Sequence, residues 1–127
     1  MLALGPAKKI TIHLNEDTSS GTDFLSREIL SLLLARGVAG ASVIRPEAGF
    51  GSHHRLHTLD GRTNAAQHMP LRIEFIDSEK NVETLLPLLR ELLTDGVIEA
   101  HDTVVKPNSR ALAIETETTR SLYDSVG

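Results

Sequence analysis

LRIEFIDSEKNVETLLPLLRELLTDGVIEA, residues 71–100, changes its hydrophobic period twice. Leu71, Ile73 and Phe75 alternate with Arg72 and Glu74, the period of two that puts successive side chains on opposite faces of a strand, here ending at Asp77. Ser78 is placed to cap a helix, in which Val82, Leu85, Leu86, Leu89, Leu92 and Leu93 recur at i, i+3, i+4 and i+7. Such a stripe must pack one helix face on a sheet. Pro87 falls inside it and predicts an interruption or kink, because proline removes one backbone hydrogen bond. Asp95-Gly96 ends the helix, and residues 97–106 supply another strand.

Upstream, the same two periods appear in the same order. Residues 8–15 alternate, with Ile10, Ile12 and Leu14 on one side and Lys9, Thr11 and His13 on the other. Residues 15–21 are polar, after which Thr22 caps a helix whose predicted buried stripe is Phe24, Leu25, Ile29, Leu32 and Leu33, stopped by Gly37. Residues 41–45 read as a short second strand that Pro46 limits. The order strand, helix, strand, strand, helix, strand predicts an α+β, ferredoxin-like βαββαβ domain, a four-stranded antiparallel sheet with two helices on one face. The domain is expected over residues 1–106. Residues 107–127 form a polar tail, either mobile or adding an edge strand through Leu112 and Ile114. No internal repeat is visible.

A chain of 127 residues can bury a single core, and with 40% hydrophobic and 24% charged residues it has the composition of a folded domain. Aromatic residues are only 3%, so the core must be aliphatic. The net charge is −4 and Lys and Arg are nowhere concentrated, which argues against nucleic acid as a partner. Without Cys there is no disulfide framework, thiolate metal site or cysteine nucleophile. No apolar run approaches the ~20 residues that span a bilayer, and Met-Leu-Ala-Leu-Gly-Pro lacks the length and basic start of a signal peptide. The expected location is the cytoplasm.

Residues 49–70 follow neither period and are too long for an ordinary strand connection, which points to a functional loop, with disorder at its tip as the alternative. Leading into it, Gly-Val-Ala-Gly-Ala-Ser-Val-Ile-Arg-Pro-Glu-Ala-Gly-Phe-Gly occupies residues 37–51. Its glycines allow backbone N–H groups to approach a ligand closely, although Gly37 and Gly40 equally serve a helix cap and a turn, and Gly49 and Gly51 a bend. Inside the loop, His53, His54 and His57, with His68 further on, could converge on Zn, Cu or Ni, or could simply be solvated. This leaves metal binding or metal tolerance as the alternative function. The carboxylates Glu16, Asp17 and Glu47 at strand ends show no split acid and base environment, and neither Ser19 nor Ser20 has a nucleophile elbow. No enzymatic activity is expected.

Gly-Val-Ala-Gly-Ala-Ser-Val followed by Gly-Phe-Gly resembles the segment of PII signalling proteins that leads into their T-loop. From Lys8 to about Lys106 the chain resembles the PII-like family known as domain of unknown function 190, with Arg45, Gly-Phe-Gly and His57-Thr58 matching its motif. The resemblance implies a homotrimer with a small-ligand site between subunits near the loop base, and a regulatory role exerted by the loop on a protein target such as a membrane transporter. It implies Ser42, Gly49, Phe50 and Gly51 as ligand contacts and His57 as a residue of the loop base. Arg45 would pair with a ligand phosphate or carboxylate, the alternative being a surface ion pair with Glu47. No resident cofactor is required; the implied ligand is an adenine nucleotide. One departure bears on which. PII proteins carry Gly-Asp-Gly-Lys after the second helix, whereas this chain reads Thr94-Asp95-Gly96-Val97-Ile98-Glu99, without the lysine. A triphosphate lacks its cation there, so an AMP-like ligand is expected over ATP.

Overall fold

β1 (Gly5–Leu14), a strand of ten residues, lies inside a four-stranded sheet and is bordered on both sides by later parts of the chain. The structure is a computed structural model that describes residues 2–14, 22–49, 57–58, 70–93 and 95–110. After β1 come α1 (Thr22–Ala35), β2 (Ala41–Ile44), the two-residue strands β3 (Ala48–Gly49) and β4 (His57–Thr58), β5 (Leu71–Asp77), α2 (Glu79–Leu92) and β6 (Gly96–Val105). The large sheet has the order β2-β5-β1-β6 with every neighbour antiparallel, as the βαββαβ pattern requires.

Register explains the core. Ile10, Ile12 and Leu14 stand opposite Phe75, Ile73 and Leu71, all six buried on the face the helices cover. Leu25, Ile29 and Leu33 of α1 and Val82, Leu85 and Leu89 of α2 close over them. Each such side chain removed from water stabilises the fold by about 1.5–3 kcal/mol. The start of α2 is fixed by polar groups: Ser78 Oγ accepts from the Asn81 N–H at 3.2 Å, and the buried Asp77 carboxylate accepts from the Ser78 N–H and from Asn81 Nδ2, both at 2.7 Å. Two donors thus satisfy a carboxylate that burial would otherwise destabilise.

Three expectations need correction. Phe24 is not part of the buried stripe but 55% exposed, because its neighbours one turn on are Arg27 and Glu28 while the covered side of α1 runs through Leu25, Ser26, Ile29 and Leu33. Pro87 does not interrupt α2, which continues from Glu79 to Leu92. The proline faces solvent, where water can satisfy the carbonyl that loses its N–H partner. Residues 49–70 are not wholly without pairing: Ala48 stands opposite Thr58 and Gly49 opposite His57 in a separate two-stranded ladder at the loop base. The sheet strands also differ slightly in extent from expectation, β1 beginning at Gly5 and β6 running one residue earlier at each end. Thr22 is the first residue of α1, and the capping role predicted for its side chain lies outside the described residues, as do Leu112 and Ile114.

Candidate functional site

β2 is four residues long and, among the described residues, has a single strand partner, β5. Gly40 enters it, Ala41 pairs with Phe75, Ser42 with Glu74, Val43 with Ile73 and Ile44 with Arg72. Alternation turns Val43 toward the helices and Ser42 to the opposite, open face of the sheet, beside Glu74. An open cleft of about 750 Å³ lies there, lined among others by Gly40, Ala41, Ser42, Glu74 and Lys9, with Ile76 in its apolar wall. That is within the ~300–1,000 Å³ typical of small-molecule sites. Lys9 Nζ lies 3.9 Å from Glu74 Oε2, and both side chains are partly exposed, so they form a weak ion pair whose members remain able to meet a ligand. The cleft therefore offers a hydroxyl, a carboxylate acceptor, an ammonium donor and the backbone of a glycine-led turn.

The residues predicted from the sequence divide between two places. Ser42 lines the cleft. Arg45 is exposed just beyond the other end of β2, roughly 10 Å further along at strand rise, and is not a lining residue. Gly49 is at the loop base, where a Cβ would approach Pro70 Cγ to 3.3 Å, so the beginning and end of residues 49–70 meet there. His57 pairs with Gly49 through the β3–β4 ladder and so lies at the same loop base. Phe50, Gly51, His53 and His54 lie outside the described residues. Among the described residues no group of three or more His, Asp or Glu side chains could hold a metal ion, and no helix is long and apolar enough to cross a membrane.

The sequence did not single out Lys9 or Glu74 as site residues. Their shared face was readable from alternation, but their meeting depends on the β1–β5 register, which places Lys9 opposite Ile76 and Thr11 opposite Glu74. The same dependence hid a second group on the open face. His13 Nε2 donates to Glu99 Oε1 and His101 Nε2 donates to Glu99 Oε2 at 3.1 Å, since a carboxylate only accepts. The hydrogen bond from His13, then that from His101, hold the Glu99 carboxyl below the usual carboxylate range. Toward the helix side, Lys8 pairs with Asp102 and stands 4.0 Å from Glu79; the bond to Asp102 raises the lysine's pKa and lowers the aspartate's.

Known proteins share this architecture, and one of them is solved with small ligands. CPII of Thiomonas intermedia K12, a nitrogen regulatory PII-like protein bound to ADP, AMP and bicarbonate, is 25% identical, with a TM-score of 0.60 over 84% of this chain and 94% of its own. A candidate PII-like signalling protein of Thermus thermophilus shares the fold with a TM-score of 0.54 at 19% identity, over 82% of this chain and 91% of that one. A UPF0166 protein of Methanocaldococcus jannaschii is 28% identical over 90 residues, 71% of this chain and 82% of that protein. The model of the DUF190 family, described as "Uncharacterized ACR, COG1993", matches residues 7–105. Because that match runs from β1 to the end of β6, taking in the whole sheet and both helices, the chain belongs to the DUF190 family and has its PII-like fold.

Proposed function

We propose that this chain is a regulatory protein that binds an adenine nucleotide in the cleft beside β2 and signals its occupancy through residues 49–70 to a protein target. The observation that carries the reading is the cleft itself, in which Ser42 and the glycine-led turn before it meet the Lys9–Glu74 pair. It is supported by the likeness to CPII, whose structure holds ADP, AMP and bicarbonate. AMP is favoured over ATP because Asp95-Gly96-Val97 offers no lysine to a terminal phosphate. In this reading Ser42, Gly49, Phe50 and Gly51 contact the nucleotide, Arg45 pairs with its phosphate, and His57 belongs to the base of the responding loop, which Gly49 closes against Pro70. In this reading no catalytic step is needed. Copies of the chain associate as a homotrimer in the cytoplasm, covering the open face of the sheet, and the target is a second protein such as a membrane transporter.

Thermal unfolding in the presence of AMP, ADP, ATP, bicarbonate and divalent metals tests it. AMP at about 100 times its dissociation constant adds roughly 2.7 kcal/mol, a shift of several degrees for a domain of this size. The expected result is a shift with AMP that falls away in Ser42→Val and weakens in Arg45→Ala. An equal or larger shift with ATP overturns the AMP preference. A response to Zn or Cu alone, lost on replacing His53, His54 and His57 by Ala, replaces the reading with metal binding.

A further inference from the structure

The cleft beside β2 has one lining residue that the strands around it do not account for. Leu2 stands in its wall together with Lys9, Ser42, Ile44, Glu74 and Ile76. Leu2 precedes Lys9 by seven residues. Had the chain entered β1 in a straight line, the two would be roughly 23 Å apart at strand rise, too far to share a cleft of this size. They meet because the chain doubles back. Gly5, the first residue of β1, has φ 104°, a conformation that other residues rarely adopt, and the chain bends at Leu4 just before it. Nothing lies within 4 Å of the point a Cβ on Gly5 would occupy, so the backbone angle rather than lack of space calls for glycine. Ala7 fits the same course of the chain. It points to the open face and is only 6% exposed, although the pairing with β5 starts one residue later, at Lys8 opposite Asp77.

The cleft thus has two kinds of wall. Lys9, Ser42 and Glu74 are polar, and Leu2, Ile44 and Ile76 are apolar. A bare inorganic anion uses only the polar groups, whereas a nucleotide brings a flat, weakly polar base as well as a ribose phosphate, and so uses both. Ile44 and Ile76 are held by β2 and β5, but Leu2 lies on a short segment outside the sheet that is free to settle on what the cleft holds. The DUF190 match begins at Ala7, so Leu2 lies outside the part of the chain that the family likeness covers.

We propose that residues 2–4 form a strap that Gly5 turns back across the open sheet face, and that Leu2 is a ligand contact of the cleft, packing on the base of the bound nucleotide. This deepens the nucleotide reading above and rests on it. The strap gives the site a contact that a nucleotide can use and a bare anion cannot.

Calorimetric titration of the full chain with AMP tests the proposal, comparing the wild type with Leu2→Ala, Gly5→Ala and Leu4→Ala. Loss of the leucine contact is expected to weaken AMP binding about tenfold in Leu2→Ala. Leu2 is outside the buried core, so the unfolding midpoint without ligand should stay unchanged. Gly5→Ala strains the turn, displaces the strap and should weaken AMP to a similar degree. Leu4, 43% exposed and not a lining residue, is the control, and Leu4→Ala should bind as the wild type does. Because the chain has no Trp, Leu2→Trp also places a single fluorescent reporter in the wall. Its emission should change on adding AMP and stay constant with inorganic phosphate at the same concentration. A wild type that binds AMP while Leu2→Ala binds it equally well overturns the proposal and leaves the nucleotide reading standing. So does Leu2→Trp emission that ignores AMP, or that responds as strongly to phosphate. A wild type that does not bind AMP overturns the nucleotide reading and the proposal together.

Discussion

Gly96 holds φ at 140°, and a Cβ on it would stand 2.4 Å from the carbonyl oxygen of His13. Both the backbone angle and the close approach of β1 demand glycine here, so Gly96→Ala should destabilise the fold by about 2–3 kcal/mol, measured by urea unfolding. From the sequence, Asp95-Gly96 read as a helix stop, yet α2 already ends at Leu92 and Gly96 opens β6 opposite Leu14. The punctuation was legible, but the reason for it depended on which strand would lie alongside. Glu99 shows the same limit: nothing in its local sequence says that two histidines reach it. Its carboxyl is held below the ordinary value of 4.5 by His13 and then His101. A depressed folded pKa means that the stabilisation is fully present above that ordinary value and is lost as pH falls through the folded one. Acidification below about pH 4.5 should therefore lower the thermal midpoint of the wild type more than that of Glu99→Gln, followed by circular dichroism.

At the scale of elements, α2 was the most readable part of the chain. Its apolar stripe, its Ser78 cap and the strand before it were all carried by local spacing, and the packing of Val82, Leu85 and Leu89 follows that spacing. Pro87 was the one conflict, and it resolved in favour of the helix because the stripe packed on the sheet outweighs one lost backbone bond on the solvent side. Restoring that bond should help: Pro87→Ala is expected to stabilise the protein by about 2 kcal/mol, the helix-interior cost of proline less its benefit in the unfolded chain, seen as a higher unfolding midpoint. α1 was read less well. Its stripe was set by counting large apolar residues, and Phe24 was included although Leu25, Ile29 and Leu33, each four apart, already mark the covered side. The loop-base ladder had no hydrophobic signature at all, since two-residue strands such as Ala48–Gly49 and His57–Thr58 are too short to show a period.

For the whole molecule, alternation and helical periodicity specified six principal elements and their order, and the antiparallel β2-β5-β1-β6 sheet follows from them. The site was legible only as far as it lies along the chain. Ser42, which lines the cleft, was singled out because it sits in a contiguous motif, whereas Lys9 and Glu74 come from strands far apart in sequence and were joined only by pairing. The position of β1 has a consequence for how such a protein is made. Its two partners are the fifth and sixth strands, so Ile10, Ile12 and Leu14 leave the ribosome well before Phe75, Ile73 and Leu71 and find them only after β5 has emerged. The ladder to β6 must wait until Val105 is out. Pairings so distant in sequence form slowly. Until β5 emerges the nascent chain therefore presents an unsatisfied aliphatic strand, a natural substrate for chaperones, and translation that stalls before β6 would leave a polypeptide whose central strand has no second neighbour.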